Sequence, residues 1–535
     1  MISDFGVEDE VSSAIRVETA LGRGTAISRR DRRRFIHTNR KEIIHVEEVV
    51  LVTLQETMYM DTPCLGLDAL VYHAQKQHPE WGFTVVELRY NSGHYVPVVD
   101  RKTDSGWQRL EGLNLRDVSS RFNPSIVGLS STSKGFNRLV GIVHDEIDTE
   151  RKLVVAGGVH PSIASDETFD RYRRLVDVFI RGDGVKAFRQ ILDNPQKAEL
   201  ADGAIRKEYL YGNLVGDASN VFHTSKQPAK DFAETGIVPA QHQRTATWAH
   251  KTVYRLQTAT GCTYGCSFCA IPNNYQTKSV KEVRTFLDSV ITDMTQKGLR
   301  KENVLVFIED GNFGGPKRSR MYAHASDMLE LFEAYNLNFG VQLRYDNITD
   351  DYLERLERGH VNYVFTSVES VDAKVLLQSR KGQKGQLDEI YATFRKMHDK
   401  GIEYAISFIS GLEGDSQESF MQTANFVRDV LTPKIACEEI AKVYPKTVDA
   451  ERYEATTGIN VERAYCTGKG LVNNPLLGSE NNETLLLIPV QEALISLEMV
   501  SNLFSQRAET NFGFNPIVPN AKYIESRTGF FQRIN

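Results

Sequence analysis

Three of the six cysteines in this chain lie within eight residues of one another. Cys262, Cys266 and Cys269 follow the spacing Cys-x3-Cys-x2-Cys in the segment GCTYGCSFCAIP. Thiolates are the ligands of iron–sulfur clusters, and a loop that follows a strand can wrap around such a cluster. Three thiolates leave one iron of a [4Fe-4S] cluster without a protein ligand. That iron is open to the amine and carboxylate of a small molecule.

Structural zinc and buried structural cysteines are the alternatives for this spacing. A structural zinc site prefers four protein ligands, and no fourth Cys or His lies nearby in the sequence. The cysteines are also too few and too clustered for a small secreted protein held together by disulfides. The spacing therefore favours an iron–sulfur cluster in a reducing compartment, for which we expect the cytoplasm.

Composition bounds the class of protein. With 535 residues, 41% hydrophobic and 25% charged, the chain is expected to form several soluble globular domains. Apolar runs are too short for a membrane span, and the first residues lack a secretory signal. The formal net charge of −6 gives no general attraction to nucleic acid. A basic run, Ser28 to Lys41, is either an anion-binding patch or, as we favour, a solvated part of an extension over 1–45. We therefore expect neither a membrane nor a nucleic-acid partner.

Residues 46–195 alternate apolar strands with helices. Strands that are apolar on both faces predict a parallel sheet covered by helices on both sides, as in a doubly wound, flavodoxin-like domain. A polar insertion over 89–122 shows no clear period. The five predicted strands are Val46–Leu54, Phe83–Leu88, Ser125–Ser131, Lys152–Gly158 and Val176–Gly182.

Small residues follow three of these strands, at the edge where ligands of such sheets sit. They let a large ligand approach the backbone, although tight strand-to-helix turns would also explain the glycines. The candidate ligand-binding residues are Ser130, Ser131, Thr132, Gly157, Gly158, His160, Gly182 and Gly184.

A second alternation of strands and helices covers 251–430, after a polar linker over 196–250. It predicts a partial or complete βα barrel, with function at the carboxyl ends of its strands. The alternation is lost over 431–535, which we interpret as a capping or substrate-specific segment. The predicted fold class is thus α/β: a doubly wound sheet, then a βα barrel, then a cap.

The cysteine spacing, Phe268 before the last cysteine and the preceding strand resemble the radical S-adenosylmethionine (radical SAM) superfamily. The resemblance implies that the open iron chelates the methionine part of S-adenosylmethionine, which one electron then cleaves to a 5′-deoxyadenosyl radical. Stretches of this sequence that match the family's motifs imply further residues that contact the cofactor. For each charged residue among them, the alternative interpretation is an ordinary salt bridge. The candidates are Phe268, Glu309 and Asp310 in IEDGNFGG, Arg344 in QLRYDNI, and Glu369 in SVES.

Three departures from family patterns accompany this resemblance and a second one in the N-terminal domain. FISGLEGD is similar to the family's GxPGE turn, but Glu413 replaces the proline. LVVAGGVHPS and VDVFIRGDG resemble the GGxHPT and GEGE stretches of the cobalamin-binding domain found ahead of many such barrels, with Val185 at the last position. The loop after the first strand, LQETMYMDTPCLG, lacks the histidine of the D-x-H-x-x-G motif that ligates cobalt in corrinoid domains.

The pairing of the two domains implies a cobalamin-dependent methyltransferase. Its methyl acceptor would be an unactivated carbon, or a phosphinate phosphorus, of a small-molecule substrate, and a flavodoxin- or ferredoxin-type protein would donate electrons. A non-methylating rearrangement or cyclisation on the same architecture is an alternative. A corrinoid-binding carrier or sensor with an inert barrel is another.

Overall fold

The computed structural model describes residues 48–467 with gaps, and the short stretches 472–473 and 483–484. The predicted extension over 1–45 and most of the predicted cap lie outside the described residues. The gaps are 56–62, 92–93, 150–151, 164–171, 173–174, 183, 194–203, 207–235, 249, 382–386, 434, 468–471 and 474–482.

The N-terminal sheet has eight described strands. In chain order they are β1 (Glu48–Gln55), β2 (Gly82–Asn91), β3 (His94–Thr103), β4 (Gly106–Leu110), β5 (Ile126–Ser130), β6 (Leu153–Gly157), β7 (Val178–Ile180) and β8 (Ala204–Arg206). Their spatial order is β4-β3-β2-β1-β5-β6-β7-β8. The inner five, β2-β1-β5-β6-β7, are parallel and have the strand order of flavodoxin-like folds.

Both faces of this sheet are buried, as the apolar strands predict. Alternate residues of β1 enter separate cores: Val50 and Val52 on one face, Val49 and Leu51 on the other. The prediction of a doubly wound domain is confirmed. Its helices are α1 (Leu65–Gln77), α2 (Leu115–Phe122), α3 (Ser133–Glu146), α4 (Val159–Ile163) and α5 (Gly184–Asp193).

The predicted polar insertion over 89–122 is part of this sheet. β2 continues to Asn91, and β3 and β4 add two antiparallel strands at the edge. Pro97 lies inside β3, and every described residue of β4 is partly or fully exposed, so their sequence carries little apolar signal. A capping box between Asn114 and Asp117 starts α2.

The second sheet is the predicted partial barrel. The strands of this region are β9 (Ala246–Trp248), β10 (Lys251–Leu256), β11 (Ala259–Thr260), β12 (Gln276–Thr277), β13 (Val304–Ile308), β14 (Phe339–Gln342), β15 (Val361–Glu369), β16 (Glu403–Ser410) and β17 (Ile435–Ile440). The barrel sheet has the spatial order β9-β10-β13-β14-β15-β16-β17, in which β9 is an antiparallel edge and the other strands are parallel. β11 and β12 form a separate pair. The helices around it are α6 (Val280–Lys297), α7 (Arg320–Tyr335), α8 (Asp350–Arg358), α9 (Ala373–Gln378), α10 (Leu387–Asp399) and α11 (Gln417–Asn425).

Helix α6 shows how local chemistry sets these elements. Ser279 and Glu282 form the predicted capping box at its start, and Gly298 ends it in the left-handed conformation. Its apolar stripe, including Val283, Leu287 and Val290, packs into the main barrel core. The predicted stripe thus positions the helix that follows the cysteine loop.

The barrel extends beyond both predicted ends. Residues 236–248, within the predicted linker, include a short helical turn, Ala240–His242, and β9. β17 lies past residue 430. It is followed by α12 (Val448–Thr457), α13 (Val461–Thr467) and the short strands β18 (Val472–Asn473) and β19 (Glu483–Thr484). None of the described helices combines the length and apolar character needed to cross a membrane.

Candidate active site

The cysteine loop is closed by its own backbone. β11 and β12 pair across its base, and the Cys262 N–H donates to the Pro272 carbonyl at 2.9 Å. Gly261 has a φ of +76°, and a Cβ there would collide with the Asn274 carbonyl oxygen. A glycine is therefore required where the loop turns into its first cysteine.

The outer side of the loop rests on the barrel mouth. The Ser267 N–H donates to the Ser379 carbonyl at 2.9 Å, and its carbonyl accepts from the Asp449 N–H at 3.1 Å. The Phe268 ring packs on a small apolar cluster that includes Val375 and Leu412. Phe268 thus anchors the loop through packing, and α12 covers it from the C-terminal region.

The three thiols have the chemistry of iron–sulfur cluster ligands, which are thiolates. Burial raises the pKa of Cys262 and of Cys269, and the Cys266 sulfur adds to both rises. The charges of Arg344 and Lys381 act on the pKa of Cys262 in the opposite direction, which favours the thiolate. The donor set fits an iron–sulfur cluster.

Arg344 lies directly against this loop. Its Nη1 donates to Cys266 Sγ at 3.3 Å, and its guanidinium stacks on the Tyr264 ring at 4.1 Å. Asp346 binds the other edge of the guanidinium, with Nε to Oδ1 at 2.9 Å. Arg344, which the sequence predicts as a cofactor contact, thus lies against Cys266, which the sequence predicts as a cluster ligand.

Glu369, at the end of β15, is buried with a φ of +60°. This conformation is strained for a residue with a side chain and is typical of functional sites. Its Oε1 accepts from Lys381 Nζ at 2.8 Å, whereas Oε2 has no hydrogen-bond donor among the described residues. A buried carboxylate oxygen without a donor is available to a ligand hydroxyl.

Asp310 and Glu309 are adjacent but have different surroundings. Asp310 Oδ1 accepts from the N–H groups of Thr258 and Ala259 at 2.7 and 2.8 Å, and Oδ2 accepts from the Thr258 hydroxyl. Burial raises the pKa of Asp310 to about 7. Glu309 instead faces a cavity and is paired with Arg255. Asp310 thus braces β13 against the start of the cysteine loop.

A cavity of about 480 Å³ lies between the two sheets. One wall is the carboxyl edge of the flavodoxin-like sheet, and the other is the start of the barrel. Of the predicted ligand-binding residues, those that line it are Ser130, Gly157, Gly158, Gly182 and Gly184, together with Glu309. The barrel side also contributes Arg255, Gln257 and Lys278.

The other three predicted residues of that sheet edge do not line this cavity. His160 is buried against the Phe136 ring, 4.6 Å between centroids, and burial lowers its pKa to about 4. Neither ring nitrogen has a hydrogen-bond partner among the described residues. The Ser131 carbonyl accepts from the His160 N–H at 3.3 Å, and Thr132 precedes α3.

Sequence reasoning missed Arg255 and Lys278. Arg255 Nη1 is buried without an acceptor among the described residues, while Nε and Nη2 contact Glu309. Lys278 is buried, with Nζ 4.0 Å from Glu282. Arg255 stands two residues after the inward-facing Val253 of β10, so strand alternation could have placed it on the inner face.

Similar proteins agree with this arrangement. Residues 256–427 match the radical SAM superfamily. The structure of the radical S-adenosylmethionine methyltransferase TsrM from Kitasatospora setae, with cobalamin and a [4Fe-4S] cluster bound, aligns with a TM-score of 0.58 at 13% identity. The alignment covers 86% of this chain and 89% of that one. At this identity the likeness shows a shared fold.

Two curated relatives are methyltransferases. The bacteriochlorophyllide d C-12(1)-methyltransferase of Chlorobaculum tepidum is 23% identical over 53% of this chain and 56% of its own length. The cobalamin-dependent radical SAM methyltransferase TokK of Streptomyces tokunonensis is 26% identical over 38% of this chain and 29% of its own length. The chain therefore spans about half of the first and under a third of the second. The superfamily match begins at the end of β10, just ahead of the cysteine loop, and runs through α11. Residues 256–427 are therefore a radical SAM domain, and a flavodoxin-like domain precedes it in this chain.

Proposed function

We propose that this enzyme is a cobalamin-dependent methyltransferase that acts on an unactivated carbon, or a phosphinate phosphorus, of a small molecule. The observation that carries the proposal is the cavity between the two sheets. It brings the glycine-rich edge of the flavodoxin-like domain to the barrel mouth that bears the cysteine loop. A two-cofactor reaction needs such a shared space, because the methyl group and the radical must reach one substrate.

The wall formed by the N-terminal domain suits a large, flat ligand such as cobalamin. Its lining is apolar apart from Ser130 and Cys64. Several of the lining residues are glycines, which have no side chain to project into the cavity. A Cβ on Gly158 would lie 2.9 Å from Ser130 Oγ, so this approach to the backbone depends on glycine. No histidine is among the described lining residues, and the proposal includes no imidazole ligand to cobalt from this wall.

The barrel supplies the sites for the cluster and S-adenosylmethionine. When bound, the cluster supplies the electron that cleaves S-adenosylmethionine, and cobalamin carries the methyl group. Cys262, Cys266 and Cys269 would hold the cluster, and Glu369 Oε2 would accept from a ribose hydroxyl. Arg255 lines the shared cavity, and its buried Nη1 has no acceptor among the described residues, which suits an acceptor on a ligand. Phe268 and α12 shield the loop from water.

The proposed reaction also needs a substrate and an electron donor. The substrate would be a small molecule that reaches both cofactors. A flavodoxin- or ferredoxin-type protein would deliver the electron, and an oxygen-sensitive cluster suits the reducing cytoplasm.

Anaerobic reconstitution with iron, sulfide and hydroxocobalamin tests the proposal. We expect four irons per chain, a bound-cobalamin visible spectrum, and release of 5′-deoxyadenosine after dithionite and S-adenosylmethionine are added. Cys262→Ala should abolish the iron and the 5′-deoxyadenosine. Cys437→Ala, which removes a buried cysteine of β17, should retain both.

Methyl transfer is tested separately with S-adenosylmethionine that carries a deuterated methyl group. Mass spectrometry of the cobalamin extracted after incubation should show the labelled methyl. Release of 5′-deoxyadenosine without any label on cobalamin would instead favour the non-methylating alternative. A Cys262→Ala variant with unchanged activity would favour the carrier or sensor with an inert barrel.

A further inference from the structure

A buried arginine contacts the sulfur of one cluster cysteine. Arg344 is 8% exposed and donates from Nη1 to Cys266 Sγ at 3.3 Å. Its Nε–Nη2 edge is held by Asp346, and Nη2 also contacts the Lys381 carbonyl. The guanidinium is planar and rigid, so these contacts fix one N–H on the sulfur.

The charges around this contact are asymmetric. Asp346 occupies the Nε–Nη2 edge, while Nη1 points to the sulfur, so the positive charge lies nearer to the cysteines than the carboxylate does. Lys381, the other buried cation near the loop, is paired with Glu369. Arg344 therefore presents an N–H on its positively charged group directly to the Cys266 sulfur.

We infer that Arg344 acts on the cluster through Cys266 and raises its reduction potential. The inference rests on the cluster of the proposed function. On reduction, one electron from a low-potential donor enters the cluster, and no bond forms or breaks. The cluster with its thiolates becomes more negative by one unit, and a nearby cation with an N–H···S hydrogen bond stabilises that state. Arg344 is a positioning residue in this role, since it touches the ligand and not the reacting atoms.

The Arg344–Asp346 pair allows a test with opposite signs. Arg344→Met removes the cation and the N–H···S bond, so the potential should become more negative than that of the wild type. Asp346→Asn removes the compensating carboxylate and leaves the cation, so the potential should become less negative. General loosening of the loop would move both variants in one direction.

The measurement is an anaerobic redox titration of the reconstituted full chain, before S-adenosylmethionine or cobalamin is added. The electron paramagnetic resonance signal of the reduced cluster reports the fraction reduced, and iron content is measured for each sample. Arg428→Met is the matched control, because Arg428 forms the same kind of two-point pair with its neighbour Asp429 in the segment after α11. Its potential should equal that of the wild type.

Each possible outcome of the titration either supports or contradicts the role of Arg344. Opposite shifts of the two variants around an unchanged control support it. Equal potentials for the wild type and both variants at full iron content, or shifts in the same direction, overturn it. If Arg344→Met does not retain four irons, the sign of the Asp346→Asn shift decides alone. Failure of the wild type itself to take up iron would refute the proposed function instead.

Discussion

Arg244 and Asp68 form a buried ion pair in which Nε and Oδ1 lie 2.5 Å apart, although 176 positions separate them in the chain. The same guanidinium lies 2.9 Å from Glu87 and donates to the Cys64 carbonyl at 3.2 Å. Arg244 precedes β9 at the edge of the barrel, whereas Asp68 belongs to α1 of the flavodoxin-like domain. The ion pair therefore holds together the two walls of the shared cavity.

We expect Arg244→Met to destabilise the chain by about 3–5 kcal/mol, because it leaves buried carboxylates without their counter-charge. Chemical denaturation of the reconstituted protein, followed by fluorescence of Trp107, which packs near Arg244, measures the change. Arg116→Met is the control, since Arg116 pairs with Glu146 on the surface and should cost about 0–1 kcal/mol. Equal losses in the two variants would contradict a structural role for the buried pair.

This ion pair also shows what the sequence could not predict. The strands and the cysteine loop follow from local patterns of apolar residues, turns and thiols, which are read within about ten residues. No local pattern joins Asp68 to Arg244, and the segment around Arg244 is polar because its charges are paired inside the fold. The sequence pattern also failed to predict β17, again because charged residues lie within the fold. Two glutamates interrupt its apolar run, IACEEI.

The sequence predicts where the residues of the candidate site lie along the strands better than it predicts what their side chains contact. Glu309 and Asp310 stand at the end of β13 as expected, but only the structure separates a residue that faces the cavity from one that braces the backbone. His160 was expected among the ligand contacts because it follows Gly157 and Gly158. The turn into α4 instead directs its ring toward Phe136.

Gly158→Ala should reduce cobalamin uptake. Gly158 has a φ of +96°, and the added Cβ would lie 2.9 Å from Ser130 Oγ and 3.2 Å from the Ser131 carbonyl. Backbone strain and crowding should together cost about 1–3 kcal/mol, and the loop should shift into the cavity. Equilibrium dialysis against hydroxocobalamin measures the loss of binding.

Gly112→Ala is the matched control for that variant. Gly112 also has a positive φ, +71°, but nothing lies within 4 Å of the added Cβ, and Gly112 does not line the cavity. Both variants should be destabilised by backbone strain, and only Gly158→Ala should bind cobalamin more weakly. Unchanged cobalamin binding by Gly158→Ala would remove this edge from the proposed site.

Asp310 should make the stability of the barrel depend on pH. Burial raises its pKa from an ordinary value near 4 to about 7, so between these values the folded chain binds a proton that the unfolded chain does not. Its contribution to the free energy of unfolding should therefore fall as pH rises, and level off above about 7. From pH 5.5 to 7 the fall should be about 2 kcal/mol.

Denaturation of the wild type and Asp310→Asn across that pH range measures this contribution as a difference. The asparagine retains an oxygen that can accept from the Thr258 and Ala259 N–H groups, but it does not titrate. The stability of the wild type relative to the variant should therefore decline with pH. A stability difference that stays constant with pH would mean that Asp310 is ionised throughout this range. The hydrogen bonds from Thr258 would then lower the pKa of Asp310 by more than burial raises it.

Glu369→Gln should weaken the binding of S-adenosylmethionine while leaving the cluster in place. If Glu369 Oε2 accepts from a ribose hydroxyl, loss of a charged acceptor costs about 1.5–3 kcal/mol, or roughly 10- to 150-fold in affinity. Isothermal titration of cluster-loaded protein, with iron content as the internal check, gives the dissociation constant. Glu413→Gln is the control, because Glu413 is an exposed partner of Arg452 at the turn where the family has a proline. Equal affinities for the wild type and Glu369→Gln at equal iron content would show that the strained backbone of Glu369 serves the Lys381 ion pair and not the ligand.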